Sequence, residues 1–145
     1  MIEKTQINNS NKKKVLMVQG LHEEGQKLYL ARDDIEPITI MSSNEDEIME
    51  AAKDVVGITV RTANISRKII ENAKNLLIVS RHGVGYDSID IDALNDSGIP
   101  LAIAAHSNMI SVAEHAMFML LALSKNVFYY DKFARKADWT TRWDI

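Results

Sequence analysis

Arg61 follows directly on an apolar run, Val55 to Val60, that reads as a buried strand. A guanidinium in that position can grip a carboxylate or a phosphate through paired hydrogen bonds. Taken alone, it reads more simply as a surface arginine that closes a strand. Gly83-Val84-Gly85 is the second feature. Two glycines around one residue let the backbone turn and present successive N–H groups outward, which makes a concavity for anions. The plain alternative is an ordinary tight turn. It is no dinucleotide fingerprint, because Ser88 stands where a third glycine is needed and no long helix opens there. Asn108 is the third feature: its amide can donate to a carbonyl or hydroxyl, or it can serve as a turn residue or helix cap. What favours the chemical readings is convergence. The stretches Arg61–Asn64, Arg81–Asp87 and His106–Asn108 each follow one of three successive apolar runs. In a parallel sheet they share the carboxyl edge, where ligands bind.

Other polar residues add less. Asp87 is expected to brace its own loop. His22, His82, His106 and His115 are scattered without metal-ligand spacing, so no metal site is expected. None of the four is given a catalytic role, although His82 and His106 fall on loops bordering the crevice.

The elements that must position these loops alternate. Strands are predicted at Val15–Val18, Pro37–Met41, Val55–Val60, Leu77–Val79 and Pro100–Ala105. Between them come a helix from about His22 to Arg32, one capped by Ser43 or Asn44 with Glu45, Asp46 and Glu47 in its first turn, one capped by Ser66, and a short one between Asp90 and Gly98. Pro37 is allowed at the first position of its strand. Five strands with interleaved helices predict an α/β fold, a flavodoxin-like doubly wound parallel sheet. Ser111 and Glu114 have the spacing of a capping box for the next helix. That helix, through Ala116–Leu123, is apolar on every side and should be buried all round. The tail gathers Phe128, Tyr129, Tyr130, Phe133, Trp139 and Trp143, so helix and tail suggest an interface with another domain or subunit. A central core helix is the simpler alternative.

Composition bounds the class. The chain has 145 residues, 46% hydrophobic and 26% charged, enough for one domain with a real core. A net charge of −3 gives no electrostatic case for nucleic acid. There is no cysteine, hence no disulfide framework or thiolate metal site. The polar stretch 1–13 has no apolar core of a secretory signal and reads as a disordered leader. The most apolar helix carries Glu114 and His115 and is too short to span a bilayer, so a cytoplasmic protein without membrane association is expected.

Four motifs fall in an order that resembles a known family. They are Val60-Arg61-Thr62-Ala63, the run Arg81 to Asp90, Gly98-Ile99-Pro100, and Asn108 to His115. The chain is similar to the amino-terminal half of D-isomer-specific 2-hydroxyacid dehydrogenases, from about residue 14 to 143. The resemblance implies that Arg61 and Thr62 line the substrate site, and that the amides of Val84 and Gly85 bind the substrate carboxylate. It implies that Asn108 points into the active site and that Val112 lies against the nicotinamide. It also implies that the helix after Val112 links two domains and contributes to a homodimer through residues 110–143. The expected substrate is a small 2-hydroxy or 2-oxo acid such as 3-phosphoglycerate, the cofactor NAD or NADP.

The departures shape the expected organisation. Residues 14–106 would form the substrate domain and 107–145 the interdomain helix and aromatic tail, with the dinucleotide-binding domain absent. The family's catalytic arginine, glutamate and histidine have no match here. Hydride transfer needs a held cofactor and a group to take the hydroxyl proton, so this chain alone is expected to be inactive. Two readings compete: a stand-alone dimeric module for anions or interaction, and a receiver-like signalling domain. The second needs acidic residues after the first strand, where Gln19-Gly20 stand instead.

Overall fold

The computed structural model describes residues 12–141. Five strands, β1 (Lys13–Val18), β2 (Ile35–Ile40), β3 (Gly57–Val60), β4 (Ile78–Arg81) and β5 (Leu101–Ile103), form one sheet. The connecting helices are α1 (Glu23–Leu30), α2 (Glu45–Ala51), α3 (Arg67–Asn72) and α4 (Ile91–Asp96). Helices α5 (Met109–Ser124) and α6 (Val127–Ala134) follow. The strand order is β2-β1-β3-β4-β5 and every pairing is parallel. That is the doubly wound, flavodoxin-like order expected from the alternation of elements.

Side-chain alternation along the strands decides where the core sits. Leu16 and Val18 of β1, Ile58 and Val60 of β3, and Val79 of β4 share one face. Against it pack Ile48 and Ala52 from α2 and its end, Ile69 and Ile70 from α3, and Ala93 and Leu94 from α4. Each large aliphatic side chain withdrawn completely from water there contributes roughly 1.5–3 kcal/mol of transfer free energy. The opposite face is covered less. α1 lies on it, and the Tyr29 hydroxyl meets Thr59 Oγ1 at 2.9 Å. Toward β5 that face stays open, with Ile78 43% exposed.

The helix ends follow from local chemistry. Asn44 Oδ1 accepts from the amides of Asp46 and Glu47 at 3.0 and 3.1 Å, so Asn44 and not Ser43 caps α2. Asp90 Oδ1 accepts from Ala93 N at 2.8 Å and caps α4. α4 ends where Gly98 takes a φ of +65°, its amide donating to Asn95 O at 3.1 Å. Ser66 stands at the cap of α3 without a capping side-chain bond; its hydroxyl donates to Glu45 Oε1 instead.

Four expectations need correction. β1 begins at Lys13, so the polar leader cannot extend to residue 13; residues 1–11 lie outside those described. Pro37 is the third residue of β2, not its first. It is tolerated because β2 is an edge strand with one flank unpaired. The capping box at Ser111 does not form, because α5 starts two residues earlier at Met109 and Ser111 falls inside its first turn. Finally, α5 is not buried all round. Ala122 is its one buried residue, while Met117, Phe118, Leu120, Leu121 and Leu123 are each more than half exposed.

The chain divides into two compact units at Ala105/His106. In the second, Tyr129 stacks edge-on against Tyr130 and tilts against Phe133, both at 5.1 Å. Trp139 is 65% exposed, and Trp143 lies outside the described residues. Two helices offer too little surface to enclose an apolar α5, which is the physical reason for its exposure. Among the described residues no helix is long and apolar enough to cross a membrane.

Candidate functional site

Parallel pairing puts the loops after β3 and β4 side by side. Val60 is in register with Arg81, so Arg61 and His82 open adjacent loops. Hydrogen bonds then tie the two loops together. His82 N donates to Val60 O at 2.8 Å, Ile65 N to Ser88 O at 2.8 Å, and Asp90 N to Ile65 O at 3.0 Å. Ala104 N donates to Gly83 O at 3.0 Å, which links the second loop to the end of β5. These bonds fix irregular backbone at the carboxyl edge of the sheet.

Within the second loop the turn is made by Gly83. Its amide closes a three-residue turn onto Arg81 O at 2.9 Å, and its φ is +149°. A Cβ there would fall 1.8 Å from Arg81 Nη1, because the arginine side chain folds back over the glycine and donates to His82 O. The φ favours glycine, and any side chain there would also have to push the arginine aside. Gly85 is different: its φ is not positive, and an added Cβ would meet only Asp87 Oδ2 at 3.4 Å. The expectation that both glycines shape the turn is therefore corrected. One does, and the other leaves open space beside the chain.

The amides of Val84 and Gly85 have no acceptor among the described residues. Val84 is half-buried and Gly85 exposed, so two consecutive donors stand free at a fixed edge. Arg61, which opens the neighbouring loop, is exposed, with no hydrogen bond or ion pair to any described residue. Unpaired donors and an unpaired guanidinium at one edge suit an anion. Thr62 lies in the same loop, but its hydroxyl donates to Gln19 Oε1 at 3.0 Å. With its proton used, that oxygen is left as an acceptor.

Gln19 is the residue that reading the sequence for chemistry missed. It is the first residue after β1, and its Oε1 accepts from Thr62 N at 2.8 Å and Ala63 N at 2.9 Å as well. The available signal was a polar residue directly after an apolar strand and before a glycine.

Asn108 and Val112 lie in the second unit, at the cap and in the first turn of α5. The Asn108 carbonyl accepts from Val112 N at 2.9 Å, while its side chain makes no capping bond. Val112 is 56% exposed. An exposed aliphatic side chain can meet an apolar surface and has nothing to offer a phosphate. The Gly83–Gly85 turn does not supply that cradle, since it leads to the six-residue α4 and not to a long helix. The dinucleotide as a whole therefore does not fit the described residues.

The histidines stay apart. His22 caps α1, its Nδ1 accepting from Glu24 N at 3.3 Å, and His115 stacks near Phe118. His82 and His106 are exposed. No group of three or more potential metal ligands occurs among the described residues. A hollow of about 430 Å³ on the α1 face is lined by Tyr29, Thr59, Ser80 and Arg81 among others, but not by Arg61, Val84 or Gly85. At the opposite, amino-terminal edge, Arg32 grips Asp34 with two bonds of 2.9 and 2.8 Å and holds its carboxyl below the usual range.

Comparison with known proteins matches the chain to a family. Residues 15–142 match the catalytic domain of D-isomer specific 2-hydroxyacid dehydrogenases. The chain is 32% identical over 127 residues to the D-3-phosphoglycerate dehydrogenase of Methanocaldococcus jannaschii, covering 87% of this chain and 24% of that protein. It is 34% identical over 95 residues to the glyoxylate reductase of Pyrococcus furiosus, covering 65% and 28%. Among solved structures, the PH0520 protein of Pyrococcus horikoshii superposes with a TM-score of 0.76 at 28% identity, covering 89% of this chain and 38% of that one. The 3-phosphoglycerate dehydrogenase of Entamoeba histolytica, solved with NAD+ bound, gives 0.66 at 27%, covering 77% and 39%. The chain thus spans about a quarter of the length of the curated phosphoglycerate dehydrogenases it matches first. With the parallel sheet, its two stitched loops and the match over most of its length, the chain belongs to the D-isomer specific 2-hydroxyacid dehydrogenase family.

Proposed function

We propose that this chain is the substrate-holding part of a D-2-hydroxyacid dehydrogenase that works with NAD or NADP. The observation that carries the proposal is the pair of free amides at Val84 and Gly85, in a loop stitched to the one that bears the unpaired Arg61. The two amides donate to the carboxylate of a small 2-hydroxy or 2-oxo acid. Arg61 adds its charge, to the same carboxylate or to a phosphate on the substrate. Thr62 keeps an acceptor oxygen in the loop. Asn108 donates to the hydroxyl or carbonyl at the reacting carbon, and Val112 gives the nicotinamide an apolar contact.

A nicotinamide, where bound, would supply the hydride chemistry. The residues named here bind and orient, and the stitched loops build no cradle for a dinucleotide's phosphates. The 145-residue chain alone is therefore expected to bind substrate without oxidising it. Pairing of two copies through residues 110–143 belongs to the same proposal. Its support is α5, whose large apolar residues this chain leaves in water.

Calorimetric titration with glycolate tests the reading. Arg61→Ala should weaken binding roughly tenfold, the worth of one charge-assisted contact, and Arg61→Lys should recover part of it. Equal affinity in all three proteins would overturn it.

A further inference from the structure

The geometry points to Gln19 as a positioning and specificity-determining residue of the anion site: its carbonyl clamps the Arg61 loop, and its uncharged amide keeps that loop open to an anion. This rests on the function just proposed.

Three donors converge on Gln19 Oε1, from Thr62 N at 2.8 Å, Ala63 N at 2.9 Å and Thr62 Oγ1 at 3.0 Å. Three donors cannot face an NH2 group, so the oxygen and nitrogen of the amide are fixed in place. Ala63 is buried, and without Gln19 its amide would lose its partner away from water. The bonds span more than forty positions in sequence and join the ends of β1 and β3.

The backbone accepts strain to make them. Gln19 has a φ of +67°, in the left-handed region that a side chain disfavours, and Gly20 follows at +66°. A non-glycine residue held there costs on the order of 1 kcal/mol and persists where its surroundings determine it. Here the determinants are the three side-chain bonds and the bond from Gln19 N to Ile40 O at 2.7 Å.

Residue type then separates a clamp from a specificity element. A glutamate would accept the same three donors, and more strongly because charged acceptors make the stronger bonds. For the clamp alone glutamate is as good or better. It would also place a negative charge next to Arg61, compete for its guanidinium and repel an incoming carboxylate. Glutamine supplies the acceptor without the charge. Its Nε2, which has no acceptor among the described residues, adds a neutral donor to the same edge.

The test compares the full 145-residue chain with Gln19→Glu and Gln19→Ala. Amide hydrogen exchange at Thr62 and Ala63 reports the clamp, and titration with glycolate reports the site. Gln19→Ala should lose protection at both amides and bind glycolate more weakly. Gln19→Glu should keep the protection yet bind roughly tenfold or more weakly, with the loss shrinking as salt is raised. Wild-type affinity in Gln19→Glu would show a purely structural residue and overturn the specificity role. Unprotected Thr62 and Ala63 amides in the wild type would overturn the clamp. A wild-type chain that ignores glycolate while keeping those amides protected would sink the carboxylate reading and the specificity role, and leave the clamp standing.

Discussion

Along the sheet, Leu16, Ile58 and Val79 are no more than 1% exposed, closed in by elements of the same unit. Along α5, Met117, Leu120 and Leu123 are equally apolar and stand between 56 and 77% exposed. The hydropathy of the two regions is alike; the number of packing partners within the chain is not. The contrast teaches that an apolar run records a need for burial without saying what satisfies it.

Truncating one side chain in each region should have opposite consequences. Ile58→Ala should destabilise the sheet unit by about 2–5 kcal/mol in urea unfolding, because it leaves a cavity between β3 and the helices α2 to α4. Leu120→Ala should change that stability by no more than about 0.5 kcal/mol. It should instead raise the concentration at which two copies pair, as light scattering would read. A large loss of sheet stability in Leu120→Ala would contradict the division.

A smaller effect is expected where the sheet unit turns from packing to binding. Gly83→Ala must force a side chain into the φ of +149° and drive Arg81 off the turn. A cost of about 1–3 kcal/mol follows, together with loss of glycolate binding. Gly85→Ala meets neither obstacle, so its stability should stay near wild type. Smaller again is Asn44→Ala, which removes the cap of α2 at about 1 kcal/mol in the same urea assay and leaves glycolate binding unchanged.

The sheet was legible because its signals are local. Apolar runs bounded by polar loops located all five strands, and Asp90 and Gly98 bracketed α4 at both ends. Arg61, Val84 and Gly85 could be grouped because parallel strands bring successive carboxyl ends to one edge. What escaped depended on distant partners or on competing starts. Gln19 meets Thr62 and Ala63 only after β1 and β3 have paired. The capping-box spacing at Ser111 was real in sequence but lost to a helix already begun at Met109. Helix α5 was read as a surface seeking another domain or subunit, with a central core helix as the simpler alternative; among the described residues its large side chains stand exposed, so the core-helix alternative falls.

Whether Val84 and Gly85 offer free amides to a carboxylate, in the loop next to that of Arg61, is read by following those two amide resonances during a titration with glycolate. Both should move together and saturate, chloride at equal ionic strength should not reproduce the movement, and Arg61→Ala should shift the midpoint to higher concentration. Resonances at Val84 and Gly85 that stay still up to roughly ten millimolar glycolate, in a chain whose sheet remains folded, would contradict it.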